Sequence, residues 1–337
     1  MDTEEELRLA LAQAFDRRFG EGHEVPRLER LSAGASRESY IFDVAAPDGA
    51  TRSLILKRDP PDAPRDDDNP DSRFGSDRPT EAAIVAAAHG AGVPAPAMIF
   101  CAEPADGLGS AFVMEALTGE TLPQKILREP SLAEGRARLP AQMGVALARL
   151  HAVPPSDLPK MRVFRLDDHL AAFRAILDGY GHPQPGFEYG LRWLERHRPP
   201  EEPQVFAHGD FRLGNIIVDG SGLTGILDWE VGHLGNRYVD LSWPSVRAWR
   251  FGRDDSPFAG VGAREDFFAA YEAEGGRKVD PEIVHYWEVL GTLRWGVMCM
   301  TIGQQFTSGR EASVEKAVIG RRVAETELDF LDLVDAI

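Results

Sequence analysis

Apolar residues at Leu7, Leu11, Phe15 and Phe19 recur every four positions, which predicts a helix over residues 4–19 with one face for packing. The period then changes to two. Tyr40, Phe42 and Val44 fall on one side of a strand over residues 38–44, residues 53–57 form a second short strand, and Pro47-Asp48-Gly49 supplies the turn between them. From residue 59 to 79, Pro60, Pro61, Pro64, Pro70 and the run Asp66-Asp67-Asp68-Asn69 predict a solvated loop with no packed element. Thr80 is expected to cap a helix whose stripe is Ile84, Val85 and Ala88 and which ends at Gly90 and Gly92. Residues 111–115 read as a strand running into Leu117-Thr118-Gly119.

Beyond residue 119 the pattern is mainly helical. Its strongest stretch carries Leu139, Met143, Leu147 and Leu150 and is stopped by Pro154-Pro155. Two short strands interrupt it, residues 216–219 and 224–228, joined through Gly220-Ser221-Gly222 as a hairpin turn. A helical segment over residues 314–334 closes the chain, and no repeat of fixed period occurs. The fold class expected is α+β, with a β-rich first domain (1–116) and a helical second domain (117–337).

Composition narrows the function. A length of 337 residues suits two domains or two lobes around one site. Lys and Arg total 37 against 54 Asp and Glu, and the formal charge of −17 would repel nucleic-acid phosphates and anionic membrane surfaces, so neither is an expected partner. Cys101 and Cys299 are too few for a disulfide framework or a cysteine metal site and fit a reducing compartment. The sequence starts with acidic residues where a targeting peptide would be basic, and no apolar run reaches membrane length, so a cytoplasmic location is expected.

The sharpest chemical signal is His208-Gly209-Asp210-Phe211-Arg212-Leu213-Gly214-Asn215, followed by Ile226-Leu227-Asp228-Trp229-Glu230. Asp210 and Asn215 have the spacing of the base and the metal-binding Asn in the kinase catalytic loop H-R-D-L-x-x-x-N. Phosphoryl transfer needs a group to orient the acceptor hydroxyl and cations to neutralise the phosphate oxygens. Asp210 suits the first role; Asn215 and Asp228 are oxygen donors for Mg²⁺. His208 is read as holding the loop, and Glu230 as a secondary candidate for metal or acceptor contact. Lys57 at a strand end and Glu81 opening the next helix form the pair that positions an ammonium against the α- and β-phosphates of ATP. The stretch 31–40, with Ser36 and Arg37, sits where a phosphate-covering loop belongs. It has one glycine, so backbone N–H groups and the Ser36 or Ser39 hydroxyl would do the covering. Asp228-Trp229-Glu230 replaces D-F-G and no A-P-E follows, which points to a small-molecule hydroxyl acceptor rather than a protein.

These residues, together with Leu147-Ala148-Arg149-Leu150-His151, resemble the aminoglycoside phosphotransferase (APH) family over roughly residues 25–330. The resemblance implies a bilobal protein-kinase-like fold, with an antiparallel sheet in the N-lobe and a helical C-lobe. It implies ATP and Mg²⁺ as cofactors, nucleotide held at a hinge near Glu115 and Leu117, and Asp210 as base. The loop at 34–39 and the stretch Trp295-Gly296-Val297-Met298-Cys299 look closest to the branch related to phosphotransferase domains of some acyl-CoA dehydrogenases, where a hydroxyacyl-CoA-like acceptor is the natural hypothesis. The acidic chain instead suits an aminoglycoside-like polycation, while Arg294, Arg310, Lys316, Arg321 and Arg322 offer local positive charge or a solvated helix face. A catalytically silent ATP-binding module and a protein kinase are the alternative classes.

Overall fold

Five antiparallel strands carry the first part of the chain in a computed structural model that describes residues 4–33, 38–59, 75–310 and 312–335. The order along the chain is α1 (Glu4–Phe19), β1 (Glu24–Ala33), β2 (Glu38–Ala45), β3 (Thr51–Asp59), α2 (Arg78–Gly90), β4 (Met98–Cys101) and β5 (Ser110–Glu115), and the strands line up as β1-β2-β3-β5-β4. The pleat sends alternate side chains to opposite faces. Leu54 and Leu56 of β3 join Phe42, Val44 and Val113 on one face, which Leu7, Leu11 and Phe15 of α1 cover. Ile55 packs on the other face with Phe112, Met114 and Ala82 of α2. Lys57 shares the parity of Ile55, so its ammonium meets α2 rather than α1.

Three expectations change here. Strand β1 is absent from the period-two pattern because its pairing with β2 shifts register between Glu24 and Arg27 and again between Arg30 and Ser32, and each irregularity resets the alternation. Strand β4 is only four residues long and partly exposed, which leaves almost no pattern to read. Helix α2 begins before Thr80: the Asp77 carboxylate accepts the Thr80 amide at 2.9 Å and is the true cap. Pro79 then falls in the first turn, where its missing N–H is not needed. Of the expected loop at 59–79, residues 60–74 lie outside the described residues; residues 75–77 are irregular as expected, while Asp59 ends β3 and Arg78 and Pro79 open α2.

The chain forms two compact units. One comprises Met1–Gly119, Ser156–Met161 and Thr224–Gly232; the other comprises Glu120–Pro155, Arg162–Leu223 and His233–Ile337. The second unit contains α3 (Pro123–Arg128), α4 (Ala133–His151), β6 (Val163–Phe164), α5 (Leu166–Gly179), α6 (Pro185–Arg196), β7 (Val205–Ala207) and β8 (Ile216–Asp219). A hairpin leads into β9 (Gly222–Ile226), within which the chain passes to the first unit before returning as β10 (His233–Gly235). There follow α7 (Tyr238–Ser242), α8 (Arg264–Ala273), α9 (Pro281–Thr307), α10 (Val314–Gly320) and α11 (Val323–Asp335). The expected single helix over 314–334 is therefore two, divided at Arg321-Arg322.

Helix α9 is the axis of this unit. Trp287, Leu290, Leu293, Val297 and Met300 are all buried, and the helix packs against α5, α6, α7, α10 and α11. Helix α4 presents the predicted Leu139, Met143 and Leu147 to the interior and lies against α8. Their approach depends on Gly144, where a Cβ would come within 2.4 Å of the Phe267 carbonyl oxygen and 2.9 Å of the Tyr271 nitrogen. Among the described residues no helix is long and apolar enough to cross a membrane.

Because both obstacles at Gly144 are backbone atoms, Gly144→Ala should force α4 and α8 apart and cost about 1–3 kcal/mol. Chemical denaturation would check this; an unchanged midpoint would mean that the helices do not meet so closely.

Candidate active site

The loop of the second unit that carries the 208–215 motif is built on a carboxylate the motif does not contain. Asp240, on α7, is fully buried, and its two oxygens accept the backbone N–H of His208 at 2.7 Å and of Gly209 at 2.8 Å. Gly209 has φ +83°, a left-handed conformation that favours glycine, so the loop turns where a side chain would strain it. His151, at the end of α4, lies 3.3 Å from Asp240 Oδ2 through Nε2 and 3.0 Å from the Tyr271 hydroxyl through Nδ1. Burial alone would push the Asp240 carboxyl up, but His151, His208 and the Gly209 amide outweigh it and hold the carboxyl below its ordinary range.

On this base stands Asp210. Its amide donates to His208 Nδ1 at 3.2 Å, giving His208 the loop-holding geometry read from the sequence. Its carboxylate accepts Trp243 Nε1 at 2.7 Å and Arg212 Nε at 3.1 Å on Oδ1, and Asn215 Nδ2 at 2.6 Å on Oδ2. Asn215 Nδ2 also donates to the Asp210 carbonyl at 2.9 Å, which closes the five-residue loop on itself. Arg294 of α9 donates to the Gly209 carbonyl at 2.7 Å and lies 4.4 Å over the Trp243 ring. Of the five late cations, Arg294 is therefore part of the loop's support and not a solvated charge.

The first unit holds the other group. The Lys57 ammonium donates to Glu81 Oε1 at 2.8 Å and lies 3.6 Å from Asp228 Oδ1. Glu81 is fully buried and takes Arg78 Nη1 on its second oxygen at 2.7 Å; Arg78 in turn reaches Asp59 at 2.9 Å. Burial pulls the Lys57 ammonium down, yet the Glu81 and Asp228 carboxylates outweigh it and raise its pKa. Burial pushes Glu81 up, and Lys57 with Arg78 outweigh that and lower it. Both groups are charged at neutral pH.

Asp228 sits two residues beyond the end of β9 rather than on the strand, at φ 64° and ψ 57°, a left-handed conformation that Asp tolerates better than most residues. Its neighbours fix it. Ile226 N–H donates to the Pro94 carbonyl at 2.7 Å, the buried Trp229 donates its indole N–H to Ile226 at 2.9 Å, and the Glu230 carbonyl accepts from Ser76 at 2.7 Å. The Asp228 carboxylate itself stays about half exposed.

The structure thus brings Lys57, Glu81 and Asp228 together in one unit, and Asp210 with Asn215 in the other. Glu115 ends β5 and Leu117 follows it, both half-buried; Ser36 and Arg37 lie outside the described residues. Sequence reasoning missed Arg78, Asp240, Trp243 and the pairing of Arg212 with Asp210. Arg212 was in plain view inside the motif, whereas nothing in the spacing of Asp240 or Trp243 marks them. As for a metal, no cluster of three or more His, Cys, Asp or Glu among the described residues could hold one. Asp228 in the first unit and Asn215 in the second each carry a hard oxygen donor of the kind Mg²⁺ prefers.

Comparison with known proteins bears on the family and the fold. The model of the phosphotransferase enzyme family, APH, matches residues 27–281. Acyl-CoA dehydrogenase family member 10 of Mus musculus is 26% identical over 210 residues, 56% of this chain and only 19% of that protein's own length. The aminoglycoside 3'-phosphotransferase of Streptomyces fradiae is 29% identical over 215 residues, covering 60% of this chain and 74% of its own. A crystal structure from Ralstonia eutropha, of a candidate aminoglycoside phosphotransferase, superposes with a TM-score of 0.74 at 17% identity, over 97% of this chain and 98% of that one; this likeness establishes the kinase-like α+β fold.

The buried Asp240 gives a pH prediction. Its folded pKa lies below the ordinary value of 3.8, so its stabilisation is complete above that value and is lost as pH falls through the lowered one. Asp240→Ala should cost about 3–5 kcal/mol at neutral pH, because two loop amides and His151 lose their acceptor. The acid limb of its stability curve should be shallower than that of the parent. Parallel acid limbs in thermal melts would show that Asp240 is not the titrating anchor.

Proposed function

The chain belongs to the phosphotransferase enzyme family, and we propose that within it this protein transfers the γ-phosphoryl group of ATP, with Mg²⁺, to the hydroxyl of a small molecule. The observation that carries this reading is the Asp210 carboxylate, held on a buried loop with a neutral amide five residues on donating to it at 2.6 Å. A carboxylate fixed in this way can take a proton from an alcohol in the transition state. The acceptor oxygen then bonds to the γ-phosphorus as the bond from that phosphorus to the β–γ bridging oxygen breaks. ADP leaves, and the proton rests on Asp210 until it passes to solvent.

The remaining roles follow from charge. Lys57, kept protonated by Glu81, has donors left for the α- and β-phosphate oxygens. Asp228 and Asn215 would hold Mg²⁺, which when bound neutralises charge on the transferred group. Glu115 and Leu117, where the β-sheet ends, are proposed to border the adenine, and Ser36 with Arg37 to cover the phosphates. In this reading residues 1–116 serve the nucleotide and residues 117–337 the base and acceptor. The names of the relatives divide between aminoglycoside phosphotransferases and acyl-CoA dehydrogenases, so they support an alcohol acceptor without selecting one.

Asp210→Asn should lower turnover by about 10²- to 10⁴-fold and leave nucleotide affinity close to that of the parent. ADP release assayed beside calorimetric titration with ATP would check both halves; turnover equal to the parent's would remove Asp210 as base. Asp228→Ala should lose rate together with its response to added Mg²⁺. A parent protein that binds ATP yet turns over no alcohol in a broad panel would be a silent binding module.

A further inference from the structure

Beside the Asp210 loop, in the same unit, is a cavity of about 400 Å³ whose walls include Trp249, Phe251, Trp295 and Ile319, with Arg247, Arg322, Asp254 and Glu325 as its charged lining. It is joined to the base through rings. Trp243, which donates to Asp210, has its ring centroid 5.2 Å from that of Trp249, and Trp249 is 4.7 Å from Trp295. Arg212, the other partner of the Asp210 carboxylate, lies 4.5 Å over Trp249. A molecule in this cavity therefore rests one indole away from the groups that orient the base.

The chemistry of the walls selects its occupant. Trp249 and Trp295 are buried among Val246, Ala248 and Cys299, and both indole nitrogens are shut off from solvent, so the two rings present carbon to the cavity. Arg247 already holds Asp254 and Asp329, and Arg322 holds Glu325, which leaves the cavity without a dominant charge of either sign. Aromatic rings can bind ammonium groups on their faces, but here guanidinium groups take those places: Arg294 on Trp243 at 4.4 Å, Arg212 on Trp249 and Arg322 on Trp295 at 5.6 Å. With guanidinium groups on the faces of the two lining indoles, Trp249 and Trp295, ring–ammonium contact is closed to a polycation. Phe251 is held at φ 52°, a left-handed conformation unfavourable for a bulky residue, which is the kind of strain found at ligand clamps.

We propose that this cavity is the acceptor subsite and that it takes the apolar body of an uncharged or weakly anionic alcohol, laid against Trp249 and Trp295, rather than a polycationic sugar. The proposal rests on the phosphotransfer reading for the identity of the ligand as acceptor, but not for its binding.

Straight-chain 1,2-diols, from butanediol to decanediol, are suitable probes because only their apolar length varies. Titrated into the nucleotide-free protein and followed by calorimetry and tryptophan fluorescence, they should bind about fourfold more tightly for each added methylene. Ile319→Trp, which fills the cavity from α10, should abolish that increase, and Ile319→Ala should preserve it with a longer optimum. ATP turnover with the same diols should rise with chain length in kcat/KM. Affinity that is flat with length, or kanamycin displacing the longest diol, would overturn the proposal. Chain-length-dependent binding without turnover would uphold the cavity and defeat the phosphotransfer reading instead, so the two fail separately.

Discussion

A carboxylate sealed from water stays charged only if donors surround it, and the second unit is organised around one such group. Asp240 receives two consecutive backbone amides, those of His208 and Gly209, and the His151 ring, so the loop, helix α7 and helix α4 all end on the same pair of oxygens. Tyr271 extends the set to α8, which is why the close approach of α4 and α8 at Gly144 bears on chemistry as well as packing. The result is a division of labour between two aspartates. Asp240 is inaccessible and fixes the backbone from below, and this leaves Asp210, with about a fifth of its side chain exposed, free to meet a substrate.

In the first unit the same problem is solved by alternation of sign. Asp59, Arg78, Glu81, Lys57 and Asp228 form a series in which each charge touches only opposite neighbours. Glu81 is the buried centre, and a single cation on it would leave one carboxylate oxygen unsatisfied at a cost of several kcal/mol. Arg78 supplies the second. Because Arg78 satisfies Glu81 from the helix side, Lys57 need give only one donor to the pair. On the proposed function, that spare capacity is what the ammonium would offer a phosphate.

How much of this could be read from sequence follows from how local each feature is. The Asp210-to-Asn215 spacing is a property of one short loop, and it closes on itself through Asn215 Nδ2, so the motif was legible without any fold. Lys57 and Glu81 were legible because strand parity and a helix start are also local. Asp240 and Trp243 were not: each acts on the loop from about thirty residues away, and only the packing of α7 on α9 brings them there. Asp228 fell in between, since the hairpin was visible but the left-handed turn that ends β9 before it was not. The misplaced cap of α2 has a similar origin, because a Pro in the first turn looks like a barrier when it in fact marks a beginning.

The net charge of −17 invites the view that the acceptor is a polycation, but distance argues otherwise. At physiological salt, charges more than about 8 Å away across solvent are largely screened. The surface acids can thus steer an approaching ligand while deciding little about what stays bound. At the cavity the nearest charges are the paired Arg247–Asp254 and Arg322–Glu325, and guanidinium groups lie on the faces of Trp249 and Trp295, one of them, Arg212, also touching Asp210. Arg212 lies on the face of Trp249, a wall of the proposed subsite, and pairs with Asp210 as well. A ligand that fills the cavity would hold Arg212 against its ring and keep the carboxylate oriented, whereas one that pushed Arg212 aside would disturb the base it needs. On the proposed reading, selection of the acceptor and orientation of Asp210 are in this way one packing problem.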